Sequence, residues 1–476
     1  MMKVCVVGTG YVGLVSGTCL AEIGHDVICV DSDSRKIDLL RDGRIPIYEP
    51  GLENLVVSNA AAHRLHFTTD LASAMTSPSL VLMIAVGTPT GRDGATAELG
   101  PLLAAVESAA RSRRSSGLRG FVAFVIKSTV PVGTNRTIEA VIARHLSSDE
   151  FAVVSNPEFL REGSAVGDFM EPDRIVVGSR SAEALTMMRD LFAPLTRRGS
   201  RLFEVSSVET SELIKYASNI FLATKIGLIN EFSRLCERSG ADVEELAVGI
   251  GLDQRIGMAG LRAGPGFGGS CFPKDLRALV GLAASMAMAM PIAEAVIASN
   301  ERQKRFTSEK IIAFFGGDVR QLRIGVLGLS FKAGTDDTRE SPALSMIGDL
   351  IDAGADVAVH DPSGSHDQYR HLAGLTCAES AGQAVAGADA IVVATEWPEF
   401  RALDWEALAL QMNRPVVFDL RNCLDGPALA RFGLEHVGLG RLAAPSAEGG
   451  DDARHGGHVA GLGDHPGVRE LNSVAA

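Results

Sequence analysis

Positive charge is in short supply along this chain of 476 residues. Its 45 Lys and Arg face 58 Asp and Glu, a formal net charge of −13. That balance excludes a dedicated nucleic-acid surface, which needs clustered cations. Aromatic residues are also few, 5% of the chain, while glycine is plentiful at 51. This pairing suits an α/β protein with many tight strand-to-helix turns. The seven cysteines, Cys5, Cys19, Cys29, Cys236, Cys271, Cys377 and Cys423, are odd in number and never spaced as CxxC. The pattern argues against both a disulfide framework and a zinc site, so no metal is expected. Long apolar runs are missing: the least charged stretch, Leu279 to Ala293, is too short to span a bilayer and carries Pro291 near its end. No basic-then-apolar pattern precedes the first strand-like run. The expectation is a cytoplasmic protein that binds neither membrane nor nucleic acid, with the length of about three domains.

What is present alternates between two textures. Lys3–Val7 reads as a strand, Gly8-Thr-Gly10-Tyr-Val-Gly13 as a turn, Leu14–Ile23 as a helix and His25–Val30 as a second strand closed by Asp31. Further apolar runs, Leu80–Val86, Phe121–Ile126, Phe151–Val154 and Ile175–Val177, are separated by helical segments. Strands spaced by helices imply right-handed βαβ units and a largely parallel sheet. From about Ser206 to Ala313 the texture is helical only. In Glu209–Cys236, Leu213, Ile214, Ala217, Ile220, Phe221 and Thr224 recur at helical spacing and mark an apolar face. Leu222, Ile226 and Ile229 fill the other faces, which predicts a largely buried helix. A second long helix is expected over Ile292–Phe315. The strand–helix texture returns at Arg323, with strands at Ile324–Leu327, Val357–Val359, Ala390–Ala394 and Val416–Phe418, like a degenerate second copy of the first architecture.

The fold class read from this is α/β: two Rossmann-like parallel-sheet nucleotide-binding domains, 1–205 and 316–442, joined by a helical central domain, 206–315. Residues 443–476, rich in Gly, Ala, Asp and His without apolar periodicity, read as a disordered tail.

Gly8-x-Gly10-x-x-Gly13 lies between a strand and a helix, the context a dinucleotide turn requires. Gly8 permits the turn, Gly10 admits a pyrophosphate to the backbone, and Gly13 lets helix and sheet approach. Asp31, ending the second strand, is placed to accept hydrogen bonds from the adenosine ribose, which favours NAD over NADP; Arg35 and Lys36 stand nearby. Three loops follow strands, Val86-Gly-Thr-Pro-Thr90, Lys127-Ser-Thr-Val-Pro-Val-Gly133 and Asn156-Pro-Glu-Phe-Leu-Arg-Glu-Gly163. In open parallel sheets such loops line one crevice. They bring the hydroxyls of Thr88 and Thr129 and the carboxylates of Glu158 and Glu162. Lys215 and Asn219, four residues apart, share a helix face. The lysine needs a partner or a purpose in so apolar a helix, unless its stem merely covers a helix edge. In Gly264-Pro-Gly-Phe-Gly-Gly-Ser-Cys271-Phe-Pro-Lys274-Asp275, glycines allow a ligand close to the backbone. Cys271 sits at a predicted helix start beside Lys274, which predicts a depressed pKa and a reactive thiolate.

Seven segments in order, GTGYVGL, YEPGLENL, KSTVPVGT, NPEFLREG, KYASNIFLATKI, GFGGSCFPKD and FKAGTDDTRESPA, make residues 2–440 resemble the UDP-glucose/GDP-mannose dehydrogenase family. The resemblance implies oxidation of a sugar C6 alcohol to a carboxylate with two NAD+ per sugar, and UDP-glucose as the small-molecule substrate. It implies Cys271 as nucleophile, Lys215 and Asn219 as donors to the developing oxyanions, and Asp275 in water positioning and proton transfer. Glu158 with Thr129 would activate the hydrolytic water. The implied NAD set is Gly8, Gly10, Val12, Gly13, Asp31, Lys36, Thr88, Thr129, Glu162, Lys274 and Arg339. The implied sugar-nucleotide set is Glu158, Phe159, Leu160, Arg161, Glu162, Lys215, Asn219, Gly260, Leu261, Arg262, Ala263, Gly264, Gly268 and Lys332. Arg255 matches an arginine that reaches the neighbouring subunit's substrate, which implies a homodimer or higher homo-oligomer joined through the helical middle. Two positions depart from the family's pattern. Leu261 replaces a common aromatic, and Asp419-Leu-Arg-Asn422 keeps one arginine, Arg421, where some relatives have two. The alternatives are the same chemistry on GDP-mannose or a UDP-N-acetyl sugar, and a non-catalytic sensor of NAD and a sugar nucleotide.

Overall fold

The structure, a computed structural model, describes residues 1–89, 91 and 97–441; Thr90 and the expected tail at 443–476 lie outside them. Strands β1 (Lys3–Val7), β2 (Asp26–Val30), β3 (Leu65–Thr68), β4 (Leu80–Ile84), β5 (Val122–Ile126), β6 (Phe151–Ser155), β7 (Ile175–Gly178) and β8 (Leu202–Val205) form one sheet. Their order is β3-β2-β1-β4-β5-β6-β7-β8. The first six pair in parallel in the doubly wound order. Ser155 against Gly178 is an antiparallel junction that attaches β7 and β8. The central strands are apolar throughout because helices cover both faces. Val4 and Val6 enter one core, Cys5 and Val7 the other.

Strands β9 (Arg323–Leu327), β10 (Asp356–His360), β11 (Leu375–Cys377), β12 (Ala390–Val393), β13 (Val416–Asp419) and β14 (Glu435–Gly438) form a second sheet. Its order, β11-β10-β9-β12-β13-β14, repeats the first six strands of the other sheet. The likeness reaches individual residues. Gly8 and Gly328 both end the first strand at φ +98°. A Cβ on Gly8 would meet Ala85 O at 2.8 Å, and one on Gly328 would meet Thr395 Cβ at 2.4 Å. Asp361 stands at the end of β10 as Asp31 does at the end of β2.

Between the sheets run four principal helices: Val208–Ser239, Val243–Gly251, Phe272–Ser285 and Pro291–Phe314. The first, of 32 residues, starts with the Ser207 side chain accepting from Thr210 N and stops at Gly240 in the left-handed region. Its orientation corrects the sequence reading. Leu213, Phe221, Leu222 and Leu228 are exposed, Phe221 by 66%, whereas Ser211, Glu212, Lys215, Asn219, Asn230 and Ser233 are buried. The apolar face is turned outward because the polar face has partners inside: strand-end loops on one side and the glycine-rich segment on the other.

A long-range tie fixes the loop after β6. The buried Glu49 carboxylate accepts from Gly163 N at 2.7 Å and Ala165 N at 2.8 Å. The Tyr11 hydroxyl donates to the same group. Glu49→Ala leaves the buried Ala165 N–H without its acceptor and Gly163 N–H with only the Tyr11 hydroxyl at 3.1 Å, and a stability loss of about 3 kcal/mol is expected in urea unfolding. A loss below about 1 kcal/mol would show that the tie is dispensable.

Candidate active site

The glycine turn after β1 is shaped for a dinucleotide. The helix Tyr11–Glu22 has Gly10 as N-cap with no side chain capping it, so its first N–H groups face outward unclaimed. A Cβ on Gly10 would meet nothing within 4 Å, whereas one on Gly13 would lie 1.9 Å from Gly8 O. The first leaves room for a phosphate; the second fixes how closely helix and turn pack. Asp31 Oδ2 accepts from Thr9 N at 2.7 Å and Thr9 Oγ1 at 2.8 Å, and Oδ1 accepts from Asp33 N at 3.0 Å. Burial works to raise its pKa, but the Asp33 and Thr9 donors and the Lys36 charge outweigh it and hold Asp31 ionised. Across the switch point, Thr88 Oγ1 donates to Thr129 O at 2.8 Å and joins the loops after β4 and β5. These residues fit NAD.

The reactive cluster gathers around Cys271, the N-cap of the helix Phe272–Ser285. Asp275 N donates to Cys271 O at 2.9 Å, one turn on. The central helix faces it with Lys215 and Asn219. Lys215 Nζ contacts Glu158 Oε1 at 2.9 Å, with both side chains about 95% buried. Glu158 Oε2 accepts from Leu160 N at 2.6 Å. Asn219 Nδ2 donates to Asp275 Oδ2 at 2.6 Å, and Lys274 Nζ to Oδ1 at 2.7 Å. Burial alone would raise Glu158, yet Lys215, Leu160 N–H and Lys127 hold its carboxyl below the usual range. Burial would lower Lys215, but Glu158, the Cys271 sulfur and Asp275 keep its ammonium form favoured. Thr129, Glu212 and Lys215 line one narrow cleft.

The thiol corrects an expectation. Cys271 is not poised as a thiolate: burial first, then Glu158, raise it to about 11, against the pull of Lys215. Lys274, the cation expected beside it, is engaged with Asp275 instead. The resting group is a thiol, so a base or a bound cation must assist its deprotonation.

Glu162 joins three stretches of chain. It accepts from Ser270 Oγ at 3.3 Å and Thr335 Oγ1 at 3.0 Å, and Arg339 lies 3.8 Å away while pairing with Asp337 at 2.7 Å. Burial and the Asp337 charge raise Glu162 to about 7. Lys332, lowered by burial, feels the charges of Glu162 and Glu396. A Cβ on Gly268 would meet Glu340 O at 2.4 Å, so this segment lies directly against the second sheet's loop.

The remaining sequence-predicted residues divide. Phe159 packs under Arg174, whose guanidinium carbon is 4.0 Å from the ring centroid, and Lys215 lies 5.4 Å from the same ring. Arg161 is exposed and pairs with Asp168 at 2.6 Å. Gly260 has φ +82°, Leu261 and Ala263 are buried beside Ile229 and Val243, and Arg262 is exposed. Gly264 N donates to Asn230 Oδ1 at 2.9 Å. Arg255 stays outside the cluster within this chain, on the surface against Asp253.

Several positioning residues escaped the sequence reading. Asn300 grips Phe267 through both amide atoms, at 2.8 and 3.0 Å, and Gln303 Nε2 donates to Gly264 O at 2.8 Å. Glu212 accepts from Gly133 N at 2.8 Å and Asn135 N at 3.0 Å, anchoring the Thr129 loop. Arg421, noticed in the sequence but given no role there, donates to Phe331 O at 2.7 Å and Ala394 O at 2.8 Å, with a guanidinium nitrogen close to the Cβ position of Gly264. Asn300 and Gln303, three apart on one helix, were the available signal.

An NAD-type glycine turn, together with a buried cluster of a thiol, a lysine and two carboxylates, marks a nucleotide-dependent dehydrogenase. The chain belongs to the UDP-glucose/GDP-mannose dehydrogenase family: its NAD binding domain matches residues 2–196, its central domain 209–302 and its UDP binding domain 325–426. The UDP-glucose 6-dehydrogenase of Rhizobium meliloti is 48% identical over 92% of this chain and all of that protein. That of Pseudomonas aeruginosa is 42% identical, covering 93% of this chain and 98% of the relative. A solved UDP-glucose dehydrogenase from Pyrobaculum islandicum superposes with a TM-score of 0.84 at 36% identity, covering 93% of this chain and 98% of that one.

Removing the cation from the buried pair gives a signed pH dependence. Glu158 is held below its unfolded pKa, so its contribution is present above that value and lost as pH falls through the folded one. In Lys215→Met the carboxylate loses its direct partner, and a loss of about 3–5 kcal/mol is expected at pH 7.5. The loss should shrink at pH 5, where Glu158 can protonate; denaturant titrations at both values check this. An equal loss at both would assign the effect to packing.

Proposed function

We propose that this protein oxidises the C6 hydroxymethyl group of UDP-glucose to the carboxylate, with Cys271 holding the sugar between two oxidations. The observation that carries the reading is the convergence of Cys271, the Lys215–Glu158 pair and the Asn219–Asp275 pair in one buried cluster. NAD+, when bound, supplies the hydride acceptor. Asp275 and Lys215 attend the C6 hydroxyl as it gives up its proton, and the Lys215 and Asn219 donors stabilise negative charge on that oxygen. The Cys271 sulfur adds to the aldehyde carbon to form a thiohemiacetal, its proton passing to a neighbouring base. One hydride leaves C6 as the hydroxyl becomes the aldehyde, and loss of a second from the same carbon, to a further NAD+, leaves a thioester. Glu158, beside Thr129, takes a proton from water as the water oxygen bonds to the acyl carbon and the C–S bond breaks. Glu162, Gly268 and Lys332 border the sugar nucleotide, while Arg339 and Lys274 belong to the NAD side.

The helical middle joins two copies of the chain. Support comes from its exposed apolar face, where Leu213, Phe221, Leu222, Leu228 and Leu235 stand in solvent. The exposed Arg255 then extends to the partner's substrate. Free thiols at all seven cysteines suit a reducing compartment, which supports a cytoplasmic site of action.

Wild-type enzyme should release two NADH and one uronate per UDP-glucose, with GDP-mannose a poor substitute. Cys271→Ala should lose turnover to the acid by about 10⁴-fold or more, the scale of a lost nucleophile. Uronate formation by that variant near the wild-type rate, or one NADH per sugar in wild type, would overturn the reading. NADP+ should serve far less well than NAD+, measured as kcat/KM, because Asp31 repels a 2′-phosphate. Light scattering should give at least a dimer at micromolar concentration, and Phe221→Glu should weaken it.

A further inference from the structure

Lys127 follows directly on β5, and its side chain is buried, 5% exposed. Nζ donates to the Asn156 amide oxygen at 3.2 Å. Asn156 is held in turn, its Nδ2 donating to Val176 O at 2.7 Å. The Phe169 ring centroid lies 6.0 Å from the ammonium. A buried ammonium whose polar partner is a neutral amide is costly to keep. What opposes that cost is Glu158, whose carboxylate favours the Lys127 charge through space, while burial and Lys215 work against it. Lys127, Asn156 and Glu158 line one cavity of about 40 Å³. Glu158 is therefore served by two cations of different kinds. Lys215 touches it at 2.9 Å, on the side of the thiol. Lys127 acts from the sheet and makes neither a hydrogen bond nor an ion pair with it.

We propose that Lys127 is a positioning residue for thioester hydrolysis: its ammonium, tethered to Asn156, keeps Glu158 ionised so that this carboxylate can accept the proton of the attacking water. The inference rests on Glu158 being the hydrolytic base. In that step the water oxygen bonds to the acyl carbon, the water proton passes to Glu158, and the Cys271 sulfur leaves with the C–S electron pair. Lys215 cannot replace Lys127, because its ammonium also answers to the Cys271 sulfur and Asp275. The other charges near the shared cavity are committed elsewhere: Asp168 to Arg161 at 2.6 Å, and Arg174 to the Phe159 ring. Asp275 is held by Lys274 and Asn219. Burial brings Lys127 itself down to about 8, so its charge persists at neutral pH and fades above it.

Loss of the Lys127 charge raises the Glu158 pKa, because a cation that favoured the carboxylate is gone. The acid limb of hydrolysis should then move up by about one pH unit, or about tenfold slower hydrolysis at a fixed pH on that limb. The experiment mixes enzyme rapidly with UDP-glucose and excess NAD+ between pH 5 and 9. It follows NADH by absorbance and the Cys271 thioester by mass spectrometry of acid-quenched protein. Lys127→Met should accumulate thioester and shift the hydrolytic limb while the first NADH burst keeps its pH profile, and Lys127→Arg should restore the limb. Lys127→Gln, which keeps a donor for Asn156, carries the same test where the methionine variant does not fold. An unmoved limb, or equal slowing of both phases without rescue by arginine, overturns the proposal. Glu158→Gln, run in parallel, should stall at the thioester; if it does not, the role of Glu158 fails, an outcome distinct from failure of Lys127.

Discussion

A lysine and a glutamate buried against each other set the terms for the rest of this molecule. Lys215 and Glu158 each lose their water, and only their 2.9 Å contact and the donors around it make that tolerable. The pair joins the long central helix to the loop after β6, so the helix cannot roll without stranding both charges. Glu212, one turn before Lys215, grips the end of the Thr129 loop, and Asn219, one turn after, grips Asp275. Three successive turns of one helix thereby hold two loops and the first turn of the helix Phe272–Ser285. The leucines and Phe221 of that helix are left facing outward as a result.

Much of this was legible in the residues. The glycine turn, Asp31 and the strand–helix alternation located the cofactor crevice, because those features obey local rules. Cys271, Lys215 and Asn219 were legible as a group because each is an awkward residue for a structural role at its position. The outward roll of the central helix was not legible. Counting apolar residues at helical spacing assumes that the apolar face seeks this chain's own core, and here charge pairing decides. The acidity of Cys271 was misread for a related reason. The sequence shows Lys274 nearby but not that Asp275 takes it, nor that burial and Glu158 raise the thiol. Glu49, Asn300, Gln303 and Arg421 act over more than thirty residues of separation, and no local pattern announces such partners.

The glycine-rich segment before Cys271 owes its shape to polar clamps more than to its own chemistry. Gly264 is held from two helices, by Asn230 and Gln303, and Phe267 by Asn300. Gly268 and Gly269 lie against Glu340 O and the Phe331 ring, where a Cβ would sit at 2.4 and 2.9 Å. Backbone contact of this kind couples the cysteine's position to the second sheet. Glu162, shared between Ser270 and Thr335, adds a polar link across the same seam.

The repeated topology creates a problem of mistaken identity, and Asp361 resolves it. Two look-alike glycine turns in one chain offer two seats for a dinucleotide. In the second, the acid is 1% exposed and spends both oxygens on backbone donors, Leu329 N at 2.6 Å and Ser330 N at 2.9 Å in the turn after β9 and Ser363 N at 3.0 Å in its own loop. Asp31 also accepts through both oxygens, from Thr9 and Asp33, but remains partly exposed, whereas Asp361 is buried. The duplicated acid has become mortar between two turns, and its burial withholds from solvent the carboxylate that its counterpart presents.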